Sequence, residues 1–253
     1  MARSFISIER LADEPYTQIL GYPRANGRQI RARMAELERL GVSSVSFSGP
    51  VELGGLSVLG KGYVGVVVLA KKGGKTVALK IRRTDSQRDG MKREMTLLEA
   101  ANSVHVGPQV FAASRNFLVM EYVRGVRIGQ WIDGLAGAGR AKKLKDVISK
   151  VLDDCYRLDE AGLDHGELSN ISKHVMVGGA GPVLIDFDSS STERRPSNVT
   201  SITQALFIGS GIAKKVQRVY KNPAKARIIE SLREYKRRRT RGSFEELLDA
   251  LRV

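Results

Sequence analysis

The sequence predicts an α+β fold in three stretches: a helix-and-strand extension at residues 1–50, a small β-rich part at 51–123 and a larger helical part at 124–253. Two textures mark the division. From Val51 to Val123, short runs of branched apolar residues alternate with glycine-containing turns, the pattern of an antiparallel sheet. Beyond Gly125 the apolar residues recur at three- and four-residue intervals. Leu144, Val147, Ile148, Val151, Leu152, Cys155 and Leu158 trace the stripe of one long helix. With 253 residues, 42% of them apolar, the chain is long enough to bury a sizeable core.

In the extension, residues 27–40 put Ile30, Met34, Leu37 and Leu40 on one side of a helix that Gly41 stops. Val42 to Phe47 then alternates as a strand. A helix followed by a strand also suits a winged-helix DNA reader, but no second helix stands where a recognition helix is needed. A small cap on the next domain is the better reading. In the β-rich part, Val58 to Val68 and Thr76 to Ile81 read as strands joined by Lys71-Lys72-Gly73-Gly74-Lys75. Residues 85–101 read as a helix with Met91, Met95 and Leu98 on its apolar side. Strands near Val110 to Ala113 and Asn116 to Tyr122 complete five strands around one helix. In the helical part, a helix at 140–161 precedes a hairpin near 175–185, and the chain is helical again from about 199. Gly134 to Gly139 reads as a loop.

Composition excludes several classes. The longest strongly apolar runs, such as Val64 to Ala70, fall far short of the ~18–20 residues that span a bilayer. The first ten residues lack the apolar stretch of a signal peptide, which predicts a cytoplasmic protein without membrane contact. Cys155, the single cysteine, cannot form an internal disulfide or a cysteine-rich metal site, and its helical spacing predicts a core position. The formal charge of +15, from 42 Lys and Arg against 27 Asp and Glu, attracts polyanions. Residues 212–241 concentrate it, with twelve Lys or Arg against Glu230 and Glu234. This segment is read either as a solvated helix face or as a contact for RNA or a ribonucleoprotein; base stacking there has only Tyr220 and Tyr235 to use.

Gly60-Lys61-Gly62-Tyr63-Val64-Gly65 matches G-x-G-x-x-G. A dinucleotide site needs such glycines between a strand and a helix. Here Val66-Val67-Val68-Leu69 continues as a strand, so the glycines lie in a hairpin, where bare backbone amides can approach phosphate oxygens. Gly74-Lys75-Thr76 imitates the end of a Walker A loop, but that motif needs glycine where Leu69 stands. Twenty residues past Gly60, Val77-Ala78-Leu79-Lys80 closes a strand on a lysine. A core lysine needs an anionic partner, which nucleotide phosphates and a helix glutamate supply. Glu94 is the chosen glutamate, with Glu99 in reserve.

Phe117-Leu118-Val119-Met120-Glu121-Tyr122-Val123 follows, and the order of glycine loop, V-A-x-K strand, helix glutamate and M-E-Y-V hinge resembles that of eukaryotic-like protein kinases. That resemblance implies a bilobal protein-kinase-like fold binding ATP. Gly60, Gly62, Tyr63 and Gly65 would cover the phosphates, and Ala78 and Met120 would border the adenine. The Glu121 carbonyl and Val123 amide would meet its edge.

Further on, Asp164-His165-Gly166-Glu167-Leu168 precedes Val175-Met176-Val177, a glycine-rich turn, and Val183-Leu184-Ile185-Asp186-Phe187-Asp188. A short hairpin with one carboxylate before it and one at its exit brings both acids to one mouth. One can orient an attacking hydroxyl while the other holds Mg²⁺ or Mn²⁺ on the β- and γ-phosphates. The H-G-[acid]-L…I-D-F pattern is similar to that of the atypical RIO and Bud32 kinase groups and of small-molecule phosphotransferases, over about residues 55–190.

The resemblance implies an ATP- and Mg-dependent serine/threonine protein kinase with protein substrates. Glu167, Lys80 and Glu94 would be its catalytic groups, and Asp186 with Asn170 or His174 its metal ligands. An ATP-dependent switch or scaffold on an RNA-associated complex and a small-molecule phosphotransferase are the alternatives. The departures are specific. Glu167 stands for the usual Asp, one methylene longer. The family asparagine position holds Ser172, flanked by Asn170, the better oxygen ligand, and His174, better placed before the strand. Asp188 replaces the glycine of D-F-G, and Gly166 replaces an arginine. The chain after Asp188 lacks an A-P-E segment, which implies a reduced helical lobe without an extended activation segment.

Overall fold

A computed structural model describes residues 4–253. The chain forms two compact units. One holds the chain up to Glu99 with Pro108–Tyr122; the other holds Ala100–Gly107 with Val123–Val253.

The first unit is β-rich. Its elements are β1 (Ile6–Ser7), a 3-10 turn (Ile8–Ala12), α1 (Thr17–Leu20), α2 (Gly27–Arg39), β2 (Val42–Ser46), β3 (Val51–Leu53), β4 (Leu56–Val58), β5 (Gly60–Lys61), β6 (Gly65–Lys72), β7 (Lys75–Arg82), α3 (Lys92–Ser103, which crosses into the second unit), β8 (Val110–Ala113) and β9 (Phe117–Glu121). One sheet runs β1-β2-β6-β7-β9-β8 with β5 also paired to β6, and β3 and β4 form a separate hairpin. The expectation of five strands is corrected here, because the N-terminal segment adds β1 and β2 to the same sheet.

Local chemistry explains the ends of these elements. Asn26 and Gln29 cap α2 reciprocally, each side chain accepting from the other's amide. Gly73 and Gly74, at φ 53° and 75°, make the two-residue turn between β6 and β7 that right-twisted strands favour. The helix expected from residue 85 starts at Lys92. Before it, the Arg82 guanidinium donates to the Ser86 and Arg88 carbonyls at 3.2 and 2.8 Å, and Arg83 pairs with Asp85 at 2.7 Å. These bonds hold the backbone in turns that compete with the first helical turns.

Strand periodicity divides the sheet into two faces. Val66, Val68 and Ala70, Val77, Leu79 and Ile81, and Phe117 and Val119 share one apolar cluster with Ile8, Leu11, Ile30, Leu37 and Leu40 of the N-terminal elements. Residues 78, 80, 118 and 120 therefore belong to the opposite face. Sequence patterning placed Ile30 and Leu37 in the core but missed Arg33, which is 3% exposed. Its guanidinium donates to the Leu20 carbonyl at 2.5 Å and to Asn116 Oδ1 at 3.2 Å, and burial lowers its pKa to about 10. Glu36, one turn on, accepts from the Asn116 amide and side chain at 3.0 and 2.6 Å. Helix α2 is thus bolted to the β8–β9 turn.

The second unit contains β10 (Val126–Arg127), α4 (Ile128–Asp133), α5 (Arg140–Glu160), a 3-10 turn (Leu168–Asn170), α6 (Ile171–His174), β11 (Val175–Gly178), β12 (Gly181–Leu184), α7 (Asn198–Phe207), α8 (Gly211–Val219), α9 (Lys225–Arg238) and α10 (Arg241–Leu251). Strands β10, β11 and β12 form a small antiparallel sheet. The apolar stripe of α5 is buried, Cys155 included. Tyr156 stacks on Phe244 of α10 with ring centroids 4.5 Å apart. Asp159 joins three helices: it accepts from the Asn198 amide and side chain, each at 2.9 Å, from the Val199 amide at 3.3 Å and from the Tyr235 hydroxyl at 2.9 Å. Among the described residues no helix is long and apolar enough to cross a membrane. A β-rich unit and a helical unit with only residues 189–197 between Asp188 and α7 make the α+β, kinase-like fold class.

Candidate functional site

In the first unit the glycines of 60–65 form a tight hairpin. Gly60 and Lys61 pair with Val67 and Val66, and the Gly62 amide donates to the Gly65 carbonyl at 2.8 Å. A Cβ on Gly65 would lie 2.8 Å from the Ile81 carbonyl and 3.1 Å from Lys80 Cγ, so only glycine lets β6 lie this close to β7. Tyr63 at the tip is 95% exposed.

Lys80 sits beside this hairpin, flanked in the sheet by Val67 and Leu118. It is buried, and its Nζ meets Glu94 Oε1 of α3 at 2.6 Å. The pair satisfies the requirement that a charge removed from water has an opposite charge within bonding distance. Ala78 lies two residues earlier on the same face, opposite Met120 of β9. Glu121 ends β9; its amide donates to the Gln109 carbonyl at 2.7 Å and its carboxylate accepts from the Gln109 amide at 3.2 Å. Val123 opens the second unit.

In the second unit the chain leaves α5 through Asp164, which forms a two-way backbone bridge with Ser191 at 2.9 Å in each direction. Its carboxylate accepts from Arg194 Nε at 3.0 Å and from the Ser197 amide at 3.2 Å. Ser190 and Ser191 are buried in this arrangement, so they are structural groups. His165 is fully buried, with its Nε2 3.2 Å from the Ile185 carbonyl and its ring tilted on Phe187 at 4.9 Å. Burial first, and then the neighbouring His174, lower its pKa to about 4, which keeps the ring neutral. Gly166 follows at φ 87°. A Cβ there would lie 2.7 Å from the Ser189 carbonyl, which explains a glycine at that position.

Glu167 is thereby delivered next to the β11–β12 hairpin. His174 ends α6, and its carbonyl accepts from the Ile185 amide at 2.9 Å, setting it beside the strand exit that carries Asp186. Glu167, His174 and Asp186 each offer an atom within 4.8 Å of the others, an N/O donor set of the right size for a divalent cation. His174 Nε2 lies 3.7 Å from Glu167 Oε2. Asp186 adopts the left-handed conformation, φ 71°, uncommon for a residue with a side chain. Asn170 is exposed, and its side-chain oxygen accepts from the Ser172 hydroxyl at 2.9 Å.

One neighbour has no local signal in the sequence. Arg127 of β10 donates to the Lys173 carbonyl, next to His174. Burial lowers its pKa, and the nearby Asp186 charge opposes that shift. Only the pairing of β10 with β11, Val126 opposite Val177, brings it there.

No curated protein matches the chain. The family model of the RIO domain matches residues 70–204, more than half of the chain. The matched stretch includes Lys80, Glu94, Glu167, His174 and Asp186; the glycine hairpin and the last three helices lie outside it. A lysine–glutamate pair within one unit, an acid–histidine–acid cluster within the other and this match lead to one assignment: the chain belongs to the RIO family of atypical protein kinases.

Proposed function

We propose that the protein is an ATP-dependent serine/threonine kinase that uses a divalent cation and transfers the γ-phosphate to a protein hydroxyl. The observation that carries this reading is the meeting of Glu167, His174 and Asp186 in one cation-sized cluster, within a chain of the RIO family. Lys80, held by Glu94, aligns the nucleotide phosphates. The amides of the Gly60–Gly65 hairpin cover them, and the backbone around Met120, Glu121 and Val123 takes the adenine edge. Asp186 and His174, with Asn170 as a further oxygen donor, would hold the cation, and Mg²⁺ or Mn²⁺ there would neutralise charge on the transferred phosphoryl group. Glu167 orients the acceptor hydroxyl and accepts its proton as the new oxygen–phosphorus bond forms and the bond to ADP breaks. Arg127 steadies the Asp186 carboxylate electrostatically.

The test measures label transfer from γ-labelled ATP to the protein itself and to a generic protein mixture, together with release of inorganic phosphate. Asp186→Ala and Lys80→Ala should each abolish phosphoprotein formation. Undiminished transfer in Asp186→Ala would overturn the assignment of that residue. Phosphate release without any phosphoprotein in the wild type would replace the kinase reading with an ATP-hydrolysing switch.

A further inference from the structure

We propose that the α8–α9 junction is a second ligand site, one that binds a phosphoryl group. A cavity of about 600 Å³ opens there, within the size range of small-molecule pockets. Its polar wall carries Arg218, Lys221 and Lys225, and no carboxylate lines it. Those three cations make no ion pair among the described residues. Elsewhere in the basic segment Lys215 pairs with Asp133, Arg237 and Arg238 with Glu234, and Arg241 with Glu245, while Lys214, Arg227, Arg233 and Lys236 are exposed. What sets Arg218, Lys221 and Lys225 apart is that the three border one cavity together.

Two further features favour an anion. Lys225 is the first residue of α9, whose N-cap Ala224 offers no side-chain acceptor and whose first turn has no acid. The partial positive charge of a 14-residue helix thus meets the cavity uncompensated. The Asn222 amide nitrogen and oxygen and the Tyr220 hydroxyl, on two other lining residues, are buried without a hydrogen-bond partner. A phosphoryl group answers the three cations, and a turn of the Asn222 side chain would bring its amide donor to the same group. Phe207 and Pro223 add apolar wall for the organic part of the ligand. None of the lining residues falls in the RIO-matched stretch, so this site stands independently of the phosphotransfer reading.

The phosphoryl group can arrive on a free nucleotide-like molecule or on an RNA strand, and the test separates the two. Inorganic pyrophosphate and a fluorescent 12-mer of single-stranded RNA are titrated in EDTA, which leaves no divalent cation for the catalytic groups. The pocket variant is Arg218→Ala/Lys221→Ala/Lys225→Ala. The control removes equal charge from exposed positions elsewhere, Lys214→Ala/Arg233→Ala/Lys236→Ala. The pocket variant should bind pyrophosphate roughly tenfold more weakly or worse, and the control should stay within about threefold. Asn222→Ala, which changes no charge, should weaken binding several-fold and guards against misfolding of the triple variant. If RNA is the source, the pocket variant's salt slope should drop by about 2, near 0.7 per lost phosphate contact. If only pyrophosphate binds in a pocket-dependent way, the source is a free phosphorylated molecule. Equal loss of RNA binding in both triple variants, with no pyrophosphate bound, would overturn the site and leave only diffuse charge.

Discussion

Replacing Lys80 by methionine keeps the apolar stem and removes the charge, leaving the Glu94 carboxylate in the interior. The two residues are 4% and 7% exposed and 2.6 Å apart, so little water reaches either. Breaking a buried pair by removing one member costs about 3–5 kcal/mol. At about 2–4 °C per kcal/mol for a chain of this size, the melting temperature should fall by roughly 6–20 °C. Replacing both members tells a different story, because the two charges of the pair leave together and apolar side chains of similar volume fill their place. Lys80→Met/Glu94→Leu should recover most of the loss. Thermal and urea unfolding of wild type, both single variants and the double variant, followed by circular dichroism, gives the complete cycle. Single effects that add to within about 0.5 kcal/mol would refute the reasoning, since a buried bonded pair must couple more strongly than that. Phosphotransfer should be lost in all three variants whatever their stability.

Three other expectations follow from the second unit. His174 brings an imidazole into the Glu167–Asp186 cluster, and imidazole favours borderline divalent metals over Mg²⁺. In His174→Asn, calorimetry and Mn²⁺ resonance spectra should show the Mn²⁺-over-Mg²⁺ preference shrinking by roughly tenfold; an unchanged ratio would remove the imidazole from the ligand set. His165, held neutral with its pKa lowered to about 4 from an ordinary 6.5, contributes stability that is complete above pH 6.5 and lost as pH falls through 4, about 3 kcal/mol at most. Asp154 acts the other way: burial pushes its carboxyl up to about 6, so its contribution is complete below pH 3.8 and lost as pH rises through 6. Asp154→Asn should therefore steepen the fall in melting temperature between pH 6 and 4, and a shallower fall would contradict both assignments. Tyr235→Phe removes a 2.9 Å hydrogen bond to the buried Asp159 and should cost about 1.5–3 kcal/mol in urea unfolding without changing the buried ring.

Much of the local structure could be read from the chain alone, because the signals that carry it are local. The i, i+3, i+4 stripe of α5 requires a buried face, and Cys155 lies on it. The Gly73-Gly74 pair specifies a hairpin turn, and a lysine closing an apolar strand calls for an anion nearby. The strand-period alternation around Lys80 also separates its face from the face that packs on Leu79 and Ile81. Charge, length and the single cysteine bounded the class of protein without any coordinates.

The tertiary structure decided what depends on register and distant partners. Asn170, Ser172 and His174 are close in sequence, where oxygen chemistry slightly favours Asn170 and the place before the strand favours His174. The bond from Ile185 to the His174 carbonyl puts the imidazole next to Asp186, while the Asn170 oxygen is engaged by Ser172. Arg33 is buried among the apolar residues of α2, and the distant Leu20 and Asn116 acceptors make its burial tolerable. The delayed start of α3 follows from Arg82 reaching forward to Ser86 and Arg88. A sequence encodes propensity within a few residues, whereas a charge's fate depends on which groups folding places within about 3 Å of it, and that is a property of the whole packed chain.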